Sequence, residues 1–193
     1  MIFLHSIRPF MTLTIALAVI GCSSTAKLNY LNEPYAINEI RVPLSISGVD
    51  IIDSRNDTTS RAVDIPRHPK KGQADEINQA LNDKHRKLIT EEMTVYLETS
   101  DKEARVEVEV LEGVKKFEGA TFGRTEYVKV KLGVTLYDDV HSPFYLKSSG
   151  EAMYEIQSLK ASNEFIEKLY QKALKASLYK CFEGIRNSME NLK

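Results

Sequence analysis

With only 2 cysteines, 9 glycines and 6 prolines in 193 residues, the chain is neither a disulfide scaffold nor a collagen-like one. Charge of one sign is missing too. The 26 Lys+Arg stand against 27 Asp+Glu, a formal net of −1, which gives no footing for nucleic-acid recognition, normally the work of a basic domain or stripe. No apolar run reaches the ~18 residues of a membrane-crossing helix. What is present, 42 % hydrophobic and 27 % charged residues, is the composition of one globular domain rather than a disordered tail.

The first residues read as an address. Arg8 and the α-amine form a weak positive region, and Met11 to Ile20 make an apolar core of 10 residues, the length of a signal-peptide core and too short to span a bilayer stably. Val19-Ile20-Gly21-Cys22 follows, and then the polar Ser23-Ser24-Thr25-Ala26-Lys27. This box resembles the lipobox of bacterial lipoproteins. The resemblance implies a diacylglyceryl (palmitate-type) chain on the Cys22 thiol, cleavage after Gly21 and acylation of the new amine. Two or more acyl chains anchor stably, at about 0.8 kcal/mol per buried CH₂. In the enterobacterial sorting pattern, Ser23 after the Cys points to the outer membrane. The expected layout is therefore a signal peptide at 1–21, the lipidated Cys22 with a polar tether at 22–37, and one periplasm-facing domain at 38–193. The mature chain has 193 − 21 = 172 residues and, without Arg8, 25 Lys+Arg against 27 Asp+Glu, a net of −2. That is enough chain to bury roughly 70 % of its unfolded surface. Fifteen tether residues reach at most ~50 Å; Tyr30, Leu31 and Tyr35 have the chemistry to dock on the domain.

Along the domain, Ile40, Val42, Leu44 and Ile46 alternate with polar residues, the period of a strand, and the phase changes after Gly48, as at a bulge. Pro43 cannot donate to a ladder, so this strand has a free edge there. Residues 53–73 read as a long polar loop. A helix is expected from Asp75-Glu76 to about Thr99-Ser100, with Ile77, Leu81, Leu88, Ile89, Val95 and Tyr96 as its apolar face and Met93 and Leu97 at the margin. Three alternating strands follow, around 104–110, 127–137 and 144–156, each with even-numbered residues inward. Connections fall at Gly119–Gly123 and Asp138–Pro143, and a turn centred near 140 would set Lys129 opposite Glu151. A last helix is capped by Ser162 and runs to Glu190. The expected fold is α+β: a two-layer sandwich, β-α-β-β-β-α, with two helices on one face of a four-stranded, mainly antiparallel sheet whose other face is wet.

Chemistry is sparse. His68, His85 and His141 have no metal-like spacing, and His85 falls on or beside an apolar helix face. Asp50, Asp53, Arg55, Asn56, Asp57 and Asp64 are the densest polar cluster. Counted from Asp53, however, Arg55 and Thr58 fill positions 3 and 6 and Asp64 fills position 12, where a calcium loop needs an acid or amide, a Gly and a Glu. The same acids lack the nucleophile or oxyanion group that would make them an acid–base pair. Local pairing of Asp53 with Arg55 is the expectation. Gly119-Ala120-Thr121-Phe122-Gly123 is a turn, not a phosphate loop, and Cys181 reads as a small buried hydrophobe. Arg61, Arg67, His68, Lys70 and Lys71 make a small basic loop, either simply solvated or able to touch anionic headgroups. No catalytic, cofactor or metal residue is expected, and the single modified residue is Cys22.

The lipobox, the short tether, a strand ending Val49-Asp50-Ile51-Ile52-Asp53-Ser54-Arg55, a helix, a three-stranded meander and a long helix beginning Ala161-Ser162-Asn163 together resemble the YajG-type lipoproteins. The resemblance spans nearly the whole mature chain. It implies a lipid-anchored, periplasm-facing protein without catalysis and carries over no binding residue but Cys22. The expected function is a non-catalytic accessory or binding module of the cell envelope with an envelope protein as partner, attached to the membrane through its lipid; the alternative is a carrier of lipid or another apolar ligand. Candidate binding surfaces are the wet sheet face, with Tyr127, Tyr137 and Tyr145, and the loop 53–73.

Overall fold

In the computed structural model, residues 40–121, 123–138, 145–159 and 162–191 are described. Its elements are β1 (Val42–Ile52), β2 (Ala74–Asn78), α1 (Asp83–Met93) followed by a single 3-10 turn (Thr94–Tyr96), β3 (Leu97–Gly119), β4 (Arg124–Asp138), β5 (Tyr145–Ser158) and α2 (Asn163–Glu190). The class is α+β, as expected, but the sheet has five strands and is mixed. It runs β1-β3-β4-β5, with β2 on the same side of β3 as β1. β1 lies parallel to the first half of β3, Val42 beside Leu97 and Ile52 beside Glu109. β2 lies antiparallel to the last turnful of it, Ala74 beside Glu118.

The expected helix from residue 75 is corrected to β2 plus a shorter helix. Ile77 and Leu81 have helical spacing, but Asp75, Ile77 and their neighbours pair with β3 instead, and Ile77 is buried through strand alternation. The true cap is Asn82, whose side chain accepts from the His85 amide at 3.0 Å, with Asp83 as the acid of the first turn. His85, Ile89 and Met93, spaced four apart, form the buried line of α1. Met93, expected at the margin, is fully buried, and Val95, expected inside, is exposed.

β3 is far longer than the seven-residue run that alternation marks. Its pairing with β4 slips between Val110 and Glu112. One extra residue, Leu111, inverts every later side chain. Before it Ala104, Val106, Val108 and Val110 are buried; after it Lys115 and Phe117 are. The even-inward rule therefore holds for β4 and β5 but only for half of β3. The bulge after Ile46 in β1 occurs as expected, with a second shift after Pro43, and β1 is an edge strand. The β4–β5 register sets Lys131, not Lys129, opposite Glu151, and Lys129 faces Met153. The register is thus shifted by two residues on β4 from the one expected. Lys129 still comes within 3.6 Å of Glu151 on the diagonal. Phe144 lies outside the described residues.

Both helices join one apolar cluster against the same face of the sheet. Ser162 caps α2 through its hydroxyl, which accepts from the Phe165 amide at 3.1 Å. The helix then buries Ile166, Leu169, Leu174, Leu178, Phe182 and Ile185, each worth about 1.5–3 kcal/mol of transfer free energy. It packs unusually close to the sheet. The Ser177 hydroxyl donates to the Val130 carbonyl at 2.9 Å, and a Cβ on Gly150 would lie 2.1 Å from the Ser177 carbonyl oxygen and 2.9 Å from the Cys181 amide nitrogen. Only glycine admits that approach of backbone to backbone. Gly150→Ala is thus expected to push α2 outward and to destabilise the fold by about 3 kcal/mol. Urea unfolding of the variant beside the wild type checks this, and an unchanged midpoint would show that the helix does not sit so close.

Candidate functional site

The face switch at Leu111 brings a lysine into the interior. Lys115 Nζ donates to Gln79 Oε1 at 2.8 Å and to the Glu167 carboxylate, and it sits 4.6 Å from the centre of the Tyr170 ring. Glu167, from the second turn of α2, also accepts from His85 Nε2 at 2.8 Å and from Gln171 Nε2 at 3.0 Å. A carboxylate only accepts, so Nε2 is the protonated nitrogen of the His85 ring. The hydrogen bond from His85, backed by Lys115, holds the Glu167 carboxyl far below the usual carboxylate range despite burial. Burial alone pulls the Lys115 ammonium down, against the support of Glu167. The cluster closes one side of a small polar cavity of about 180 Å³, lined also by Ser60, Arg61, Asn82 and Asn163.

A second ion pair adjoins it. Arg55 grips Asp53 with Nε and Nη2, each at 2.8 Å, as expected from the sequence, and Nη2 also donates to the Gln79 carbonyl at 2.8 Å. Asp53 accepts the Leu81 amide at 3.2 Å. Burial works to raise the Asp53 pKa, but the Arg55 guanidinium outweighs it and the net direction is down. Gly113 makes the room: a Cβ there would lie 2.4 Å from the Tyr170 hydroxyl and 2.7 Å from Arg55 Nη1. Burial pushes the Tyr170 phenol up to about 12. The loop 53–73 is therefore tied down at its start and is not simply solvated. It is tied again by Asp75, which binds Arg61 at 2.5 and 2.7 Å and the Asp64 amide at 2.7 Å. The Arg61 bonds hold the Asp75 carboxyl down at about 2.

The acids of the expected polar cluster do not converge. Asp50 pairs with Arg105 across β1 and β3, Asp53 with Arg55, and Asp57 accepts from Asn78. Among the described residues no group of three or more His, Cys, Asp or Glu is placed to hold a metal ion. His85 is wholly buried, His68 is exposed on its loop, and His141 lies outside the described residues. Cys181 is buried, its thiol pushed up to about 12 by that burial, and its Sγ lies 3.4 Å from the Leu132 carbonyl. Cys22 lies outside the described residues. Lys115, Glu167, Gln79 and Tyr170 were not foreseen. The Lys115-Lys116 pair, one of which must point inward on any strand, was the available signal.

The wet face of the sheet carries a larger cleft, about 560 Å³. Its floor is a row of directly paired residues, one from each of β2, β3, β4 and β5: Glu76, Lys116, Tyr127 and Glu155. Lys116 pairs with Glu118 at 3.3 Å and Lys129 with Glu112 at 2.8 Å. Partial burial raises the Tyr127 pKa; Lys129 opposes, while Glu112, Glu151 and Glu76 add to the rise. Leu111, Tyr137 and Met153 stand exposed. Of the expected tyrosines, Tyr127 and Tyr137 are on this face, and the Tyr145 side chain lies outside the described residues.

No family model matches the chain, and no curated protein does. Among solved structures, the crystal structure of protein XCC0632 from Xanthomonas campestris, assigned to the family model DUF330, is similar at 11 % identity, with a TM-score of 0.45, over 79 % of this chain and 90 % of that one.

The Lys115–Glu167–His85 cluster sets a pH dependence. A carboxyl with a depressed folded-state pKa stabilises the fold above its unfolded value near 4.3, and that contribution is lost as pH falls through the folded value. The melting temperature is expected to drop on acidification below about pH 4.5. Glu167→Gln should lower it at pH 7, with a loss of about 3 kcal/mol of stability, because Lys115 loses its counter-charge, and should flatten the acid limb. Thermal melts from pH 3 to 7 test this; parallel curves for both proteins would remove Glu167 from the account.

Proposed function

We propose that the protein is a lipid-anchored, non-catalytic binding module of the bacterial cell envelope, held through Cys22 in the outer membrane and facing the periplasm, which engages an envelope protein with the open face of its sheet. The observation that carries the reading is the one-sided build. Both helices cover one face, and the other keeps a 560 Å³ cleft with Tyr127 in its floor, while Leu111, Met153 and, farther along β4, Tyr137 stand exposed on the same face. Aromatic and Met side chains amid polar ones are the residue types enriched in protein interfaces. The lipobox supports the anchor, and the YajG-type resemblance implies the same anchored, periplasm-facing placement. The carrier reading draws no support from the core, where the side chains between helices and sheet pack on one another, nor from the two clefts described above, whose linings are mostly charged or polar with Val114 in the larger and Ala62, Val63 and Ile166 in the smaller.

The test is crosslinking in the native cells from a photoreactive residue placed at Met153, with a second at Lys87 on α1 as the control face. One envelope protein captured from Met153, not from Lys87, and lost with Cys22→Ala is the expected outcome. Capture of stoichiometric lipid without protein would overturn the reading in favour of the carrier.

A further inference from the structure

The exposed cations are not spread evenly. Arg67, Lys70 and Lys71 stand exposed in one loop. Arg124, at the start of β4, donates through Nη2 to the Arg67 carbonyl at 3.3 Å, so four cations meet at one corner. The backbone fixes that corner. The Gly72 amide donates to the Gly119 carbonyl at 2.9 Å and the Gly119 amide to the Gln73 carbonyl at 2.8 Å. A Cβ on Gly119 would fall 2.3 Å from the Lys70 carbonyl oxygen. Gly72, at a φ of +76°, lets the turn close. Of the neighbouring acids, Asp75 is engaged with Arg61 and Glu118 with Lys116; Glu126, buried and bonded to Ser158, lies near enough to Arg124 to offset part of its charge, which leaves Arg67, Lys70 and Lys71 as the exposed cations of the corner.

Position gives the corner its meaning. The chain arrives at β1, whose first residue lies beside Leu97 at the start of β3. Gly119 ends β3, and from Glu103 to Gly119 the strand rises roughly 50 Å at about 3.3 Å per residue. The cationic corner therefore stands at the end of the sheet opposite the one where the chain arrives from Cys22.

We propose that this corner is a second membrane contact, docking on the phosphate headgroups of an anionic lipid surface that faces the membrane holding Cys22. The facing geometry rests on the anchored reading above; the contact with headgroups does not. Exposed Lys and Arg side chains along one loop suit a diffuse layer of phosphates. A domain of net −2 gives no wider basic surface for nucleic acid.

The experiment uses the full lipidated chain, inserted through its anchor into neutral phosphatidylcholine vesicles and mixed with acceptor vesicles that contain phosphatidylglycerol. Clustering, read by light scattering, is expected with anionic acceptors only. It should fall about tenfold or more in an Arg67→Gln/Lys70→Gln/Lys71→Gln variant that melts like the wild type, and should weaken as salt is raised. Equal clustering of neutral acceptors, or none lost in the triple variant, would overturn the proposal. So would displacement by free glycerol phosphate at the concentration of lipid phosphate, which would make the corner a site for soluble phosphate. If the chain fails to insert into the donor vesicles, the anchored reading fails. Cosedimentation of the same protein with the anionic vesicles alone, with and without the three substitutions, then still decides the headgroup contact.

Discussion

One extra residue in β3 organises the molecule. Without the slip at Leu111, Lys115 would point to water and Glu112 and Val114 would face the helices. With it, a lysine is delivered to the interior at the point where α1, α2 and the chain around Gln79 converge. A buried ammonium is tolerable only with a counter-charge and full hydrogen bonding. Glu167 supplies the charge, Gln79 an acceptor and the Tyr170 ring a face. Glu167 must in turn be held, which brings in His85 from α1 and Gln171 from its own helix. The polar cluster thus joins elements that apolar packing alone would leave free to slide. Arg55 and Asp53 add the loop after β1 to the same assembly, through the gap that Gly113 leaves open.

The same build explains which surfaces are left for other molecules. Sheet edges invite unwanted pairing, and here each edge has a cation over a carbonyl. Arg86 donates to Ile51 of β1 at 2.6 Å, and Lys180 to Glu151 of β5 at 2.7 Å. Pro43 removes a donor from β1 as well. The helix layer fills one face. What remains open is the broad outer face, where opposite charges are paired across strands and the exposed apolar groups are few and separate.

Much of the architecture was legible because alternation and capping are local. The even-inward pattern of β4 and β5, the bulge in β1, Ser162 as a cap and Cys181 as a core residue all follow from neighbours in sequence. The Asp53–Arg55 pair was legible for the same reason. β2 was not, because Ile77 and Leu81 have helical spacing and the pairing that makes 74–78 a strand comes from residues 114–118. Nor was the second half of β3, since a bulge shows in sequence only as a broken pattern and reads as a loop. The Lys115–Glu167–His85 cluster needed both corrections first: His85 and Glu167 are 82 residues apart and Lys115 and Glu167 are 52 apart, and no spacing rule reaches that far.

The distribution of charge, rather than its total, gives the domain a direction. A formal net of −1 predicts an unremarkable surface. The fold sorts it. The cleft on the outer sheet face mixes Glu76, Glu112, Glu118 and Glu155 with Lys116 and Lys129, while Arg67, Lys70, Lys71 and Arg124 gather at the end of the β3–β4 hairpin. The chain arrives at the opposite end. A tether attached there orients a rigid domain only if the far end also has something to hold, because a single flexible attachment leaves rotation free. On the proposed reading, two attachments of different chemistry, an acyl chain reached through the tether and cations at the far end, would keep the sheet standing between two surfaces with its open face turned sideways, where the proposed partner can reach it.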